Sequence, residues 1–451
     1  MPAPDHEVAV IGGGICGLAA AWTLRDRNIV VCEAAPRAGG RILSHGRDRY
    51  WLNLGAHLLP GPGTTVDRLV HETGLRTIEV TGTLRGLAVR GAIAASDRPA
   101  LYPLTLPLPL RDRISLAQAG LRLRRGVARY FREGPRLEGT EDDHPHVPGV
   151  EFLDDQTFAA FLGSLSPVTD SIFRCAVNRG PSTLETISAG GGIGIFAHVW
   201  GGRRSLTARN LLGGTAELTS ALSAALGDRL RLEAPVRTVR SEADRVVVET
   251  EGEDRMSARQ AVVAVPAPQA LRILDPLPAD LKEALERVQY RAFLSMAMLT
   301  GETGPMPWDR VYSLATPGRA FDMLFNHAQP LRVGDREPGG SLMAYAGADN
   351  ADRLIDEPDD IIRAAFLRDL DTVYAGASSR VVETIVQRWP LGNTNAGPGR
   401  AKVQRTLERH PTVSGRIQLA GDFYTPIGTM ETAATTGVLA ARRALSALAR
   451  G

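Results

Sequence analysis

The sequence predicts an α/β protein built around a Rossmann-like dinucleotide-binding domain, and three observations carry that reading. An apolar run, Val8-Ala-Val-Ile11, passes directly into Gly12-Gly13-Gly14-Ile15-Cys16-Gly17. A helical pattern runs on from Leu18 to about Asp26. A second apolar run, Ile29-Val30-Val31-Cys32, then closes on an acid, Glu33. The chain has 451 residues, enough for two or three domains with a sizeable core.

Each piece of this N-terminal unit has a physical reason. Short apolar runs without alternation suit strands buried on both faces of a parallel sheet. Gly12 permits the tight turn, Gly14 lets backbone approach a pyrophosphate, and Gly17 lets helix and strand pack closely. The helix that starts at Ile15 then presents free N–H groups and the positive end of its dipole to phosphate. Glu33 stands 21 residues after Gly12, where a carboxylate can accept hydrogen bonds from an adenosine ribose. A 2′-phosphate there would meet like charge, which disfavours NADP.

Composition narrows the function classes. The balance of 52 Lys+Arg against 50 Asp+Glu is near neutral, which argues against nucleic acid as a partner. Three cysteines (Cys16, Cys32, Cys175) cannot build a disulfide framework and suit a reducing compartment. No signal peptide and no apolar stretch of transmembrane length is visible, so a cytoplasmic location is expected. Lys282 and Lys402 are the only lysines, so chemistry that needs one has two candidates.

The segment after the first acid separates the dinucleotides. Glu33-Ala34-Ala35-Pro36-Arg37-Ala38-Gly39-Gly40-Arg41 sets a glycine pair between two arginines, and Arg41 offers a fork of donors to a diphosphate. Here the sequence resembles the flavin-containing amine oxidase superfamily, which includes monoamine and polyamine oxidases, protoporphyrinogen oxidases and carotenoid desaturases. The resemblance implies FAD. It continues at Asn53-Leu54-Gly55-Ala56-His57, similar to a strand-turn beside the flavin ring, and at the Leu212–Leu218 helix start. Val236 matches a valine whose backbone contacts adenine, and Ala261–Pro268 resembles a strand returning to the sheet. Ile417–Asp422 and Thr429–Ala434 look like the closing strand-loop-helix, with Gly421 and Asp422 near the ribityl-diphosphate and Met430 at the flavin pyrimidine edge.

These pieces lie at both chain ends and around residue 236. The expected FAD domain is therefore discontinuous (1–58, 208–276 and 386–451), with a mixed α+β substrate domain from 59–207 and 277–385. Gly190-Gly191-Gly192-Ile193-Gly194 lacks a preceding strand and reads as a loop or turn, so no second dinucleotide site is expected. Electrons would leave to oxygen or another acceptor. Leu101–Leu110 is proline-spaced and cannot be a helix interior. Arg111–Arg132 reads as an arginine-rich amphipathic helix, which either touches a membrane peripherally or packs its apolar side on the second domain. His144-Pro145-His146 has no third ligand at metal spacing, and no metal is expected.

Departures from the family shape the functional expectation. The superfamily's amine oxidases carry a lysine near flavin N5, but the comparable stretch Tyr290–Met298 has none. Thr429 stands where monoamine oxidases have a tyrosine, and no cysteine lies near the C-terminal motif, so noncovalent FAD is expected. Trp389 resembles a tryptophan bordering the flavin, or it is a core residue. His57 could polarise substrate or act as a base, or it is structural. The expected activity is hydride removal from a C–N or C–C bond of a fairly apolar small molecule. The alternative is a flavin-dependent isomerase or dehydroxylase acting on a polyene without net oxidation.

Overall fold

The computed structural model describes residues 3–96, 98–200 (side chains to 197), 209–332 and 336–450. The expected 207/208 boundary falls outside them. Strand β1 (His6–Ile11) pairs in parallel with β2 (Ile29–Cys32), joined by helix α1 (Ile15–Thr23). On its other side β1 pairs in parallel with Arg255–Val263, with Val8 opposite Gln260. That long strand forks. Its first half pairs antiparallel with Val246–Thr250, while Ala261–Val263 pairs in parallel with Ile417–Leu419.

At its centre the resulting eight-stranded sheet is buried on both faces, which is why Val8–Ile11 and Ile29–Cys32 are continuously apolar, whereas the outer strand Val236–Ser241 alternates with charged residues. One face packs on α1 and on helices Ala216–Leu226 and Met430–Arg450 through Val8, Val10, Leu18, Leu222 and Val438. The other packs on Ala267–Ile273, Ala279–Glu286 and Arg400–Arg409 through Ile11, Val263, Leu281 and Leu407. Contact between α1 and the C-terminal helix depends on Gly437, where an added Cβ would lie 2.1 Å from the Cys16 carbonyl oxygen.

A second sheet has seven strands, in the order Val381–Thr394, Tyr290–Thr300, Gly340–Gly347, Met323–Asn326, Ser313–Ala315, Gly86–Val89 and Ala92–Ala94. Its first strand runs to Thr394, past the expected boundary at 386. Period-2 alternation gives the sheet two different faces. Leu294, Met296, Leu324, Leu342 and Ala344 pack beneath helix Asp359–Val373. Met323, Phe325, Met343 and Tyr345 point the opposite way, among Tyr312 and Leu58.

A helical layer completes the molecule. Leu110–Glu133 buries Leu116, Ala119 and Leu123 against Phe158, Phe173 and Ile193, while leaving Ile114 and Leu121 half exposed. Gly190–Gly194 is not a loop: it lies inside helix Ala189–Trp200. The glycines serve packing there, because a Cβ on Gly190 would sit 1.9 Å from the Phe152 carbonyl oxygen and one on Gly192 2.4 Å from the Phe158 ring. Leu101–Leu110 also holds a helical turn, Tyr102–Thr105, with Pro103 in its first turn where no N–H is needed. Among the described residues no helix is long and apolar enough to cross a membrane.

Candidate active site

A cavity of about 1010 Å³ opens where β1, the start of α1 and the C-terminal helix converge. Its nucleotide end is set by the glycine-rich turn. Gly12 has φ of +104°, and its N–H donates to the Cys32 carbonyl at 2.8 Å. Gly14 precedes the first turn of α1 with no side-chain cap, and a Cβ there would meet nothing within 4 Å. The open space over uncapped helical N–H groups is what an anionic diphosphate requires.

Glu33 stands beside this turn. One carboxylate oxygen accepts from the Gly13 N–H at 2.6 Å and the other from the Ala35 N–H at 2.9 Å. The backbone thus fixes the carboxylate, and the remaining lone pairs face the cavity. Ala34, Ile15 and Cys16 line the same end, with Val236 opposite. Burial pushes the Cys16 thiol up to about 12 and that of Cys32 to about 11, so both stay protonated.

At the far end lie Ala56, Trp389, Gly392, Asn393, Gly421, Asp422 and Met430. Met430 begins helix Met430–Arg450, and the Thr429 hydroxyl accepts from the Thr432 N–H at 3.0 Å. Trp389 is held by its indole N–H, which donates to the Leu54 carbonyl at 2.8 Å. Arg41 is less free than the sequence implies. Its guanidinium donates to the Asp422 carboxylate at 2.8 Å and to the Gly392 carbonyl at 3.2 Å. Burial opposes that charge, but Asp422 outweighs it and holds Arg41 firmly protonated.

The cavity therefore joins an uncapped helix start, a carboxylate fixed by backbone N–H groups and a broad end bordered by an indole. The chain's residues 15–445 match the family model described as flavin containing amine oxidoreductase. The chain belongs to the flavin containing amine oxidoreductase family. Its sequence is 25% identical over 350 residues to amine oxidase [flavin-containing] B of Sus scrofa. That match covers 76% of this chain and 65% of the relative, just under two thirds of the latter's length. Two solved structures share the fold. Putrescine oxidase bound to putrescine superposes with a TM-score of 0.74, 20% identity and full coverage of both chains. Cyclohexylamine oxidase from Brevibacterium oxydans gives 0.74 and 20%, covering 99% of each.

FAD is the cofactor of this flavoprotein family, and the cavity fits it. The volume lies at the upper end of ordinary ligand sites. Glu33, Gly14 and Val236 would hold the adenosine and diphosphate, and Trp389, Gly421 and Met430 would border the flavin. None of the three cysteines stands at that flavin end: Cys16 and Cys32 lie at the glycine turn, and buried Cys175 is outside the cavity.

Four expected residues do not line the cavity. Gly13 faces Glu33, and a Cβ on Gly17 would lie 1.8 Å from the Gly12 carbonyl oxygen. Gly55 backs onto the Arg41 carbonyl at 2.0 Å on the same measure. His57 is buried one residue beyond Ala56, its Nδ1 3.2 Å from the Gly55 carbonyl oxygen. Its ring lies 4.5 Å from Phe325 and 4.9 Å from His327. Burial lowers it to about 4, so it is neutral near pH 7.

Sequence reading missed Tyr290, whose hydroxyl donates to Asp422 at 2.7 Å, and Gln269 and Arg272 on the cavity wall. Their three-residue spacing after Pro266, on one side of a helix, was the available signal. Strand Tyr290–Thr300 carries no lysine, and its buried Ser295 donates its hydroxyl to the Leu54 carbonyl at 2.7 Å. Lys282 and Lys402 are exposed on helices outside the cavity.

Proposed function

We propose that this protein is an FAD-dependent oxidase or dehydrogenase that removes hydride from a C–N or C–C bond of a small, fairly apolar molecule. The observation that carries the reading is one continuous cavity, which runs from the uncapped start of α1 and Glu33 to Ala56 and Trp389. Behind Ala56, His57 packs against Phe325 of the second sheet. In this reading the first sheet and its helices form the FAD domain, and the second sheet with the helical layer forms the substrate domain.

Bound FAD supplies the hydride acceptor, and the protein supplies orientation and electrostatics. Glu33 anchors the ribose, and the Arg41–Asp422–Tyr290 group fixes charge and hydrogen bonding beside the diphosphate. The N-terminus of helix Met430–Arg450, at the cavity wall, would offer its positive dipole end to a bound flavin. Trp389, tied to Leu54, sets the angle of one wall. His57, held neutral by burial, packs behind Ala56 against Phe325 and His327 and so backs this wall without adding charge. Without a lysine or paired aromatic cage, protonated primary amines are poor candidates.

Oxygen or another acceptor would reoxidise the flavin. Three buried free thiols suit the cytoplasm, and exposed Leu104, Leu110 and Ile114 beside Arg111 and Arg113 suit peripheral contact with an anionic membrane. The deciding experiment is anaerobic titration of the yellow holoprotein with amines, porphyrinogens and polyenes, monitoring flavin bleaching. Bleaching by one class identifies the substrate bond. No bleaching by any of them, with turnover only on prereduced enzyme, would replace the reading by a non-redox isomerase.

A further inference from the structure

Helix Leu110–Glu133 carries an apolar line on the side away from its core. Asp112, Leu116, Ala119, Leu123 and Gly126 face inward and are buried. Leu110, Ile114, Ala117 and Leu121 follow one another at spacings of four, three and four, and all are exposed. At about 100° per residue this line lies opposite the buried one, where a surface helix ordinarily carries polar residues. The segment before the helix extends the line. Leu104 and Leu110 are 69% and 74% exposed, the highest values of any large apolar side chain among the described residues, while Leu106 and Leu108 between them are buried. Arg113 braces this proline-spaced turn, donating to the Leu108 carbonyl at 2.8 Å and to the Leu106 carbonyl at 3.4 Å. The outward leucines therefore belong to one continuous, braced ridge, unlike the singly scattered apolar residues of an ordinary surface.

Charge decides what covers the ridge. The helix has seven arginines and two acids. Asp112 is buried 3.6 Å from Arg90, and Glu133 is paired with Arg129 and Arg132 at 2.9 and 3.7 Å. Arg111, Arg124 and Arg125 are exposed at the flanks of the apolar line, and among the described residues no acid pairs with them. A second copy of the chain would set two such helices together, like charge on like. An anionic lipid surface answers both groups, taking the leucines into its boundary and the arginines onto its phosphates.

We infer that helix Leu110–Glu133 and the turn before it dock in the plane of an anionic bilayer. Leu104, Leu110, Ile114 and Leu121 enter the headgroup–acyl boundary, and Arg111, Arg124 and Arg125 meet lipid phosphates. The inference rests on the peripheral contact proposed above and names its elements, its orientation and its lipid class, and it does not depend on the redox chemistry.

The test is flotation of the flavin-loaded protein with vesicles of phosphatidylcholine alone and of phosphatidylcholine with about one third phosphatidylglycerol. At low salt the protein should float with the anionic vesicles and stay behind with the neutral ones. Leu104→Asp and Leu110→Asp should each lower the partition coefficient about tenfold, and Arg124→Gln and Arg125→Gln about fivefold each. Ile361→Asp and Val382→Asp, at exposed apolar residues next to Asp360 and Glu383, should change nothing. Every variant should keep the flavin content and melting temperature of the wild type, because these side chains are exposed and lie outside the cofactor cavity. Equal flotation with both vesicle types, or anionic binding that survives both leucine variants, would overturn the inference and leave peripheral contact to another face. No flotation with either vesicle would overturn the contact itself. A lipid-free oligomer that Leu110→Asp turns into a monomer would also overturn the inference, by giving this ridge to a second copy.

Discussion

Replacing Glu33 by glutamine separates what this side chain does for the fold from what it does for the cofactor. In the native protein each carboxylate oxygen holds one backbone N–H, from Gly13 at 2.6 Å and Ala35 at 2.9 Å. An amide keeps one acceptor and turns an NH₂ against the other donor. The apoprotein should lose one charge-assisted hydrogen bond and gain one orphaned N–H, a cost of about 1–3 kcal/mol. A bound ribose loses its charged acceptor as well, worth roughly another 1.5–3 kcal/mol, so the FAD dissociation constant should rise about 10- to 100-fold. Deflavinated protein titrated with FAD, monitored by the quenching of flavin fluorescence, measures the second quantity, and urea denaturation of the apoprotein measures the first. FMN, which has no adenosine, provides the control and should bind both proteins alike. An FAD affinity within threefold of wild type, or an equal loss for FMN, would refute the assignment of Glu33 to the ribose.

Three further outcomes are expected. His57 is held neutral by burial, its folded value of about 4 lying below the unfolded 6.5, so its contribution is complete above pH 6.5 and is lost as pH falls toward 4. Between pH 7 and pH 5 the loss amounts to about 2 kcal/mol, and urea titrations of His57→Gln should show a pH dependence shallower by that amount; an unchanged slope would contradict it. At pH 8 the buried thiols of Cys16, Cys32 and Cys175 should resist an aromatic disulfide reagent in the folded protein, whereas all three react in denaturant. Gly437→Ala should lower stability by about 1–3 kcal/mol in a thermal melt, because the new Cβ meets Cys16 backbone at 2.1 Å. Gly46→Ala, with open space at its Cβ, should stay within about 0.5 kcal/mol of wild type.

The cofactor half was legible because its constraints are local. Gly12, Gly14 and Glu33 lie within a strand–turn–helix–strand unit, and each residue type answers a nearby geometric demand. The Gly190–Gly194 run shows where local reading fails. Read alone it looks like a turn, yet it is helical because Phe152, Phe158 and Tyr130 leave no room for side chains. Arg41 was placed near the diphosphate by spacing, but its pairing with Asp422, 381 residues away, could not be read from neighbours. The apolar face of the second sheet was hidden for the same reason. Met323, Phe325, Met343 and Tyr345 converge only once two separate strands pair, with Met323 opposite Tyr345 and Phe325 opposite Met343.

The forked strand Arg255–Val263 has a consequence for the order of events during synthesis. Its partner Ile417–Leu419 and the helix Met430–Arg450 that walls the cavity are made about 400 residues after β1. At ribosomal speeds of about 5–20 residues per second, the first strand waits roughly 20–80 s for the element that completes its sheet. Until then the glycine turn faces no wall on its flavin side, and the apolar face of α1 has no C-terminal helix to cover it. The cavity is thus closed only by late elements of this chain, and a nascent polypeptide stalled before residue 417 would leave that face of α1 uncovered.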